Sequence, residues 1–317
     1  MEQSGSQKVF KNILLLTDFS RPSEAALPFA AAIAQEYQAR VFALHVLVHP
    51  SRVPSTPELK AASIEAEEEK AKVKMRRLES QLFGLSYKMI VSREISFWNA
   101  VRQTMTEHNI ELVVVGTHGR SGADKLLMGS VAEEIFRRST VPVLTIRPGV
   151  RSSALIGGRF HRVLFATDFT DASVAATPYV VSLARKQNAR LVLLHVIQPA
   201  PQNGNEENRF ELSADEAIRQ LHETIPKEVG LDYPPEAAVE FGQAAERIVE
   251  AAKHHQADLI VLGVRDAKGH LSEVTHLERA IAHKIVAHAE CPVLTVRSAR
   301  HEASHLERTA TYQVVCE

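Results

Sequence analysis

The chain of 317 residues contains only two cysteines, Cys291 and Cys316, and no excess of either charge. Two cysteines cannot form a disulfide framework for a chain of this size, which predicts a reducing compartment. The 37 Lys and Arg residues nearly balance the 38 Asp and Glu residues. Because a neutral chain has no field that attracts nucleic acid or an anionic membrane surface, we expect neither partner.

Long apolar runs are missing as well. No segment approaches the roughly 20 apolar residues that span a bilayer. The first ten residues, MEQSGSQKVF, do not combine a basic segment with an apolar core. We therefore expect a cytoplasmic protein without a membrane segment.

The chain does contain an internal repeat. Three pairs of segments share an offset of 150 positions: 11–20 (KNILLLTDFS) with 161–170 (HRVLFATDFT), 41–46 (VFALHV) with 191–196 (LVLLHV), and 141–147 (VPVLTIR) with 291–297 (CPVLTVR). Three matches at one offset predict two copies of one domain. We expect a first domain over 1–150, a second over 157–298 and a C-terminal tail over 299–317.

Within each copy, short apolar runs alternate with longer helical stretches. This alternation predicts an α/β fold in which an open five-stranded parallel sheet is flanked by helices. In the first copy we predict strands near 11–17, 40–47, 85–91, 111–116 and 142–147, and helices near 21–36, 60–82, 97–108 and 130–138. In the second copy we predict strands near 161–167, 190–197, 236–241, 258–263 and 292–297.

One stretch of the first copy has the pattern of a phosphate-binding loop. An apolar run ends at Gly116, and Gly119 and Gly129 punctuate the polar segment that follows. Ser130 comes next, where it can cap a helix. Glycines let backbone N–H groups approach a ligand, and the helix dipole favours negative charge. We expect Gly116 to let the chain leave the strand sharply and Gly129 to clear the helix entrance.

Other residues are expected at the same end of the sheet, since open parallel sheets bind ligands beyond the carboxyl ends of their strands. Asp18 follows the first strand and Val46 ends the second. Asp18 can bind a ribose hydroxyl or approach a metal on the phosphates, and it can also cap the next helix. Thr17 faces the same crevice but can equally bond its own backbone. His45 and His195 end equivalent strands, which predicts a structural hydrogen bond.

The spacing Gly116-x2-Gly119-x9-Gly129-Ser130 resembles the nucleotide-binding motif of the universal stress protein family, in its ATP-binding branch. Residues 17–20 (TDFS) resemble the opening strand and turn of that family. The ligand that this resemblance implies is ATP, with Mg²⁺ bound through its phosphates.

The resemblance extends over about 1–148 and 159–298, so the chain resembles a tandem, two-domain member. It implies a Rossmann-like fold of the adenine-nucleotide alpha hydrolase type. The nucleotide-binding residues that it implies are Thr17, Asp18, Val46, Val115, Gly116, Gly119, Gly129, Ser130 and Val131.

The second copy keeps the strand but loses the loop pattern. Its fourth strand still ends in Gly263, whereas Asp266 stands in place of the second motif glycine. Arg279 and Ala280 replace the last motif glycine and the serine after it. A carboxylate repels a phosphate, and an arginine at a helix entrance fills the space that glycine leaves. We expect an empty or plugged pocket here, with a different small ligand as the alternative, and therefore one competent nucleotide site per chain.

Eleven of the 15 histidines lie in the second half. His276 and His283 are seven residues apart on a predicted helix, and His270 and Glu273 precede them. Such residues can ligate a metal. We expect a surface role for them instead, and no metal site.

These features favour a nucleotide-dependent regulator in stress response without a dedicated catalytic step or catalytic residue. The sequence contains no Walker-type GK[ST] lysine and no HxGH-type adenylylation signature. The alternatives are a weak ATPase or autokinase and an interaction scaffold without a ligand.

The last strand of each copy is short and apolar. An apolar strand at the edge of a sheet needs covering. We expect these two strands, near 142–147 and 292–297, to pair within the chain as a pseudo-dimer, as the resemblance implies for tandem members. We also expect two chains to associate as a homodimer.

Overall fold

The structure is a computed structural model. It describes residues 10–47, 57–94, 96–117, 129–150, 155, 157–198, 212–265 and 273–298, with the backbone alone at 57–63 and 273–279. The expectations for Gly119, for Asp266 and for the tail over 299–317 lie outside the described residues.

The first half contains five strands and four helices in its described part. The strands are β1 (Asn12–Leu16), β2 (Arg40–Val46), β3 (Ser86–Ser92), β4 (Leu112–Gly116) and β5 (Val143–Ile146). The helices are α1 (Arg21–Tyr37), α2 (Pro57–Glu79), α3 (Phe97–Glu107) and α4 (Ser130–Arg138), and a 3-10 turn at Ser80–Leu82 follows α2. All nine predicted elements are confirmed to within about three residues at each end.

The second half repeats this order. Its strands are β6 (Arg162–Ala166), β7 (Arg190–Ile197), β8 (Glu236–Phe241), β9 (Leu259–Val264) and β10 (Val293–Arg297). Its helices are α5 (Asp171–Gln187), α6 (Ala214–Thr224), α7 (Ala244–His254) and α8 (Glu273–His288), with a 3-10 turn at Lys227–Val229. None of the described helices combines the length and the apolar character needed to cross a membrane.

The two five-stranded sheets are joined into a single sheet of ten strands. Its strand order is β3-β2-β1-β4-β5-β10-β9-β6-β7-β8. Neighbouring strands are parallel within each half, whereas β5 and β10 are antiparallel, with Leu144 opposite Leu294. The predicted pairing of the two last strands within the chain is therefore confirmed.

Helices cover both faces of this sheet, and each face has its own apolar core. One core packs α1, α2, α5 and α6 against the sheet, with the buried side chains Phe29, Met75, Val180 and Leu221. The other core packs α3, α4, α7 and α8, with the buried side chains Val101, Ile135, Ile248 and Ile285. Each core contains residues of both halves, so the halves bury their apolar surface together.

The contact between α1 and α5 joins the halves on the first face. The hydroxyl groups of Tyr37 and Ser182 lie 3.1 Å apart. The ring of Phe10 packs between Tyr37 and Tyr179, at centroid distances of 5.1 and 5.8 Å. Burial raises the pKa of Tyr37 to about 12, because the phenolate would have to form away from water.

Candidate nucleotide site

The chain leaves β1 and β4 toward opposite faces of the sheet. These strands are neighbours, with Leu15 opposite Val114, yet α1 packs in one core and α4 in the other. Where adjacent parallel strands diverge in this way, a crevice opens beyond their carboxyl ends. Asp18 follows β1 at this point, so the structure places it between the ends of β2 and β4.

The predicted residues that end the strands meet along this crevice. Val46 is the last residue of β2 and is half-buried, whereas Val115 and Gly116 end β4 and are buried. The hydrogen-bond ladder continues one residue beyond β1 and one residue beyond β4. The Thr17 N–H donates to Leu44 O over 3.0 Å, and the Thr117 N–H donates to Ile146 O over 2.8 Å. The floor of the crevice is therefore a regular part of the sheet.

Thr17 is held by the turn that follows β1. Its side-chain oxygen accepts the Phe19 N–H over 3.1 Å and lies 3.3 Å from the Ser23 hydroxyl. Its carbonyl accepts from Nδ1 of His45 over 2.8 Å. The local backbone bond expected as the alternative for Thr17 is thus present, and the predicted structural role of His45 is confirmed.

Burial lowers the pKa of His45, as does Lys74, while the hydrogen bond to Thr17 and the nearby Asp18 act in the opposite direction. The net lowering favours the neutral imidazole, which donates from Nδ1. In the second half, His195 donates to the carbonyl of Thr167 over the same 2.8 Å. This bond therefore belongs to the shared fold, because it is present in both halves.

The turn after Thr17 is strained. Phe19 has a φ of 59°, and its counterpart Phe169 has a φ of 62°. A bulky residue in the left-handed region costs about 1–3 kcal/mol and requires support from its surroundings. Phe19 has that support, since the centroid of its ring lies 4.4 Å from the centroid of the His45 ring. This contact holds the turn that contains Asp18 in one conformation.

Asp18 does not cap α1, so that alternative is wrong. The cap is Ser20, whose side chain accepts the Ser23 N–H over 3.5 Å. The helix begins at Arg21, and Asp18 therefore lies too early in the chain for this role. Instead, its carboxylate accepts the N–H of Ser20 over 3.0 Å, which closes a tight turn at the crevice.

The equivalent carboxylate in the second half has a different environment. One oxygen of Asp168 accepts the Thr170 N–H over 3.1 Å and the hydroxyls of Thr170 and Ser173, each over 2.6 Å. Ser23, the counterpart of Ser173, donates its hydroxyl to the carbonyl of Ser20 over 2.9 Å instead. Neighbouring hydroxyls therefore hold the aspartate of the second half within its own turn.

Gly116 has a packing role that the sequence did not reveal. A Cβ atom there would lie 2.2 Å from the carbonyl oxygen of Pro22, in the first turn of α1. At Gly263 a Cβ atom would lie 2.3 Å from the carbonyl oxygen of Ala172. The Thr117 N–H continues the ladder one residue past Gly116, and the direction in which the chain then leaves the strand lies outside the described residues. Both glycines are required because a helix packs directly on the strand end.

The start of α4 fits an anion-binding helix terminus. Gly129 is the N-cap residue, with φ −61° and ψ 151°, and its carbonyl accepts the Glu133 N–H over 2.9 Å. Ser130 is therefore the first helical residue, and its predicted capping role is wrong. Ser130 is exposed, and the next residue, Val131, is half-buried. Free N–H groups in the first turn of a helix and its dipole favour a phosphate at this end.

The corresponding helix of the second half begins much earlier. α8 has 16 residues from Glu273, whereas α4 has nine. Arg279 therefore lies inside the helix, about 9 Å along its axis from the first residue. The expectation that Arg279 stands at the helix entrance is wrong, because the helix extends two turns further toward its N-terminus. The start of α8 consequently does not occupy the position that α4 has in the first half.

Among the described residues, no group of three or more His, Cys, Asp or Glu side chains is arranged to hold a metal ion. Cys291 is buried, and burial raises the pKa of its thiol to about 12. One pattern escaped the interpretation of the histidines: residues 301–305 read HEASH, an H-E-x-x-H spacing. On a helix this spacing places two imidazoles on one face. Its residues lie outside the described part of the chain.

Comparison with known proteins identifies the family of both halves. The sequence model of the universal stress protein family matches residues 10–147 and 159–297. A universal stress protein of Mycolicibacterium smegmatis is 27% identical over 300 residues, covering 90% of this chain and 96% of its own. One of Thermus aquaticus is 32% identical over 142 residues, covering 44% of this chain and 99% of its own.

A solved structure shows the same fold. The crystal structure of a universal stress protein from Archaeoglobus fulgidus aligns with a TM-score of 0.67, at 21% sequence identity. The alignment covers 90% of this chain and 98% of the other. At this level of identity, the likeness extends to the fold alone.

Proposed function

The chain belongs to the universal stress protein family, and on that premise we propose that it binds ATP and acts as a nucleotide-dependent regulator in stress response. In this proposal the first domain, over 1–150, holds the nucleotide. The second domain, over 157–298, has a degenerate motif and holds none. The tail over 299–317 belongs to neither.

The observation that carries the proposal is the exposed start of α4 beside the divergence of β1 and β4. After β4 the chain must return to the beginning of β5, so α4 runs back along the sheet and its N-terminus lies at the crevice. A terminal phosphate at this point would meet the backbone N–H groups of Ser130 and Val131 in the positive field of the helix. In the described part of the second half the arrangement differs, since α8 begins at Glu273, about two turns before the position that matches the start of α4.

The proposed contacts follow from the order of the strands. The adenine and the ribose would lie toward β2 and the end of β1, against Thr17, Asp18, Val46 and Val115. The phosphates would lie against Gly116, Gly119, Gly129, Ser130 and Val131. Mg²⁺ would be held through the phosphates, where it would neutralise part of their charge. No chemical step is assigned to these residues.

Two further parts of the proposal concern the whole chain. We expect a homodimer in the cytoplasm. The described parts of β3 and β8 each pair on one side only, at the two ends of the ten-stranded sheet. These edges support an association between chains, since an open strand edge favours pairing.

Nucleotide binding can be tested directly. The purified protein is denatured and the released small molecules are separated by chromatography; ATP is then titrated calorimetrically into the stripped protein. We expect close to one ATP per chain. Gly119→Asp, which introduces the residue found in the second half, should abolish binding through charge repulsion. Equal affinity of wild type and this variant would refute the proposal.

The second half provides the matched control. Asp266→Gly restores a glycine there, and we expect the stoichiometry to stay near one, because α8 still begins too early. A stoichiometry near two in the wild type would overturn the assignment of a single site. Steady phosphate release with magnesium that continues well beyond one phosphate per chain would favour the ATPase alternative.

A further inference from the structure

The far end of α4 is held by a residue of the other half. Arg297 is the last residue of β10, and its Nη2 donates to the carbonyl of Phe136, in the last turn of α4. The guanidinium carbon also lies 6.0 Å from the centroid of the Phe136 ring. Its Nη1 donates to the carbonyl of Arg265 over 3.4 Å. Arg297 thus connects the end of α4 with the residue that follows β9.

The contact is reciprocal. Arg147 follows β5, and its Nη1 donates over 3.0 Å to the carbonyl of Ala287, in the last turn of α8. Each half therefore supplies an arginine to the last helix of the other. The pseudo-symmetry of the chain provides two residues of the same type and the same kind of contact, of which only Arg297 touches the helix of the proposed nucleotide site.

The contact with Arg297 stabilises the last turn of α4. The last carbonyls of a helix have no partner within it, and a cation at this end also interacts favourably with the helix dipole. Since α4 has only nine residues, it is too short to be stable alone, and its position depends on what packs against it. A change at one end of such a short helix shifts the other end as well.

We propose that Arg297 is a positioning residue for nucleotide binding: it holds α4 from the second half, so that the first turn of α4 faces the phosphates. This inference rests on the proposed function of the first half. It also gives the second half a role that needs no ligand of its own. Because coupling between sites is reciprocal, a nucleotide at the start of α4 strengthens the contact of its last turn with Arg297.

The test compares Arg297→Ala with Arg147→Ala. Each variant loses an arginine that donates to the last turn of a helix, and Arg297→Ala also loses the donation to the Arg265 carbonyl, so we expect the larger loss of stability in urea for Arg297→Ala. Arg297→Ala should weaken ATP binding about fivefold, the low end of typical couplings between sites. Arg147→Ala should bind ATP within about twofold of wild type. Hydrogen–deuterium exchange supplies the second measurement: ATP should slow exchange in the peptide spanning β10 in wild type and in Arg147→Ala, but not in Arg297→Ala.

The outcomes separate this inference from the proposed function. If the wild type binds no ATP, the proposed function fails and the inference fails with it. If the wild type binds ATP and both variants bind equally well, only the inference is overturned. Equal losses of affinity in both variants would also overturn it, because they would reflect general destabilisation.

Discussion

The two halves of the chain share a skeleton and differ in their crevices. Both have the turn in which a histidine of the second strand donates to a threonine carbonyl, and both need a glycine where a helix packs on the fourth strand. These shared features follow from packing. The start of the last helix and the surroundings of the aspartate differ between the halves, and both features lie at the proposed nucleotide site. A glycine shared by the motif and its degenerate copy, such as Gly116 and Gly263, is therefore no sign of nucleotide binding.

The aspartates sharpen this contrast. Asp18 and Asp168 occupy equivalent positions, yet a serine hydroxyl five residues further on donates to the carboxylate only in the second half. In the first half the equivalent hydroxyl donates to the backbone. Asp168 fixes its own turn through three donors, so its carboxylate serves the structure of the second half.

The largest effect is expected where the halves are most alike. Gly116→Ala and Gly263→Ala should each destabilise the protein by about 3 kcal/mol, because the new methyl group meets a backbone carbonyl that cannot move without the helix. Urea unfolding measures both. Similar losses would confirm that the two glycines serve packing. An unchanged midpoint for Gly263→Ala would break the comparison, because it would show that the start of α5 does not pack tightly on this strand end.

The aspartates should give crossed effects. Asp18→Asn should raise the dissociation constant for ATP about tenfold, which is about 1.4 kcal/mol, with little loss of stability. Asp168→Asn should leave ATP binding unchanged and cost about 1–2 kcal/mol of stability, since its hydroxyl donors lose a charged acceptor. Calorimetry and urea unfolding on both variants separate the two effects. The contrast between the halves fails if Asp168→Asn weakens ATP binding as strongly as Asp18→Asn.

Tyr37 probes the contact between the halves. Tyr37→Phe removes the hydrogen bond with Ser182 and should cost about 1 kcal/mol near neutral pH. Burial raises the pKa of Tyr37 from 10.0 to about 12. Between these values the unfolded chain releases the proton and the folded chain keeps it, so stability falls as the pH rises, by at most about 1.4 kcal/mol per pH unit.

This pH dependence has its own control. The free energy of unfolding is measured from pH 9 to 11 for the wild type, Tyr37→Phe and Ser182→Ala. Tyr37→Phe should show a shallower decline than the wild type. Ser182→Ala keeps a buried tyrosine and should keep the steeper decline. Parallel curves for all three proteins would show that Tyr37 is accessible to water and that the halves separate at this contact.

The smallest effect is expected from an ion pair across the same boundary. Arg159 and Glu36 lie 3.1 Å apart, and the arginine side chain is 51% exposed. Arg159→Ala should cost less than about 0.5 kcal/mol, because water and salt screen an exposed pair. The loss should disappear at high salt. A loss above that of Tyr37→Phe would mean that charge, rather than the shared apolar cores, joins the halves.

The sequence predicts the architecture well because the patterns that determine it are local or repeated. Apolar runs give the strands, and the 150-residue offset gives the duplication. The exposed apolar edge of the last strand in each copy leads to the pairing of β5 with β10. Each of these steps depends on many residues, so one unusual residue does not change the result.

The details of the site depend on contacts that the sequence does not display. Gly116 approaches Pro22, which is far away along the chain, so its packing role becomes visible only when α1 is placed. The start of α8 follows from helix formation before Arg279, a position that had been aligned with a loop glycine. Ser20 caps α1 in place of Asp18 because of the direction that the turn at Phe19 gives to the chain. Each of these depends on the orientation of a single side chain or turn.

The antiparallel junction of β5 and β10 has a consequence for how the whole molecule responds. Because the strand direction reverses there, the carboxyl ends of the first half and those of the second lie at opposite borders of the sheet. Each border therefore shows the crevice of one half next to the strand beginnings of the other. Two identical domains paired in this way would change at both borders when they bind a ligand. If this chain has the single site that we propose, a nucleotide acts at one border of the sheet only, and the two borders then differ in the surface that they present.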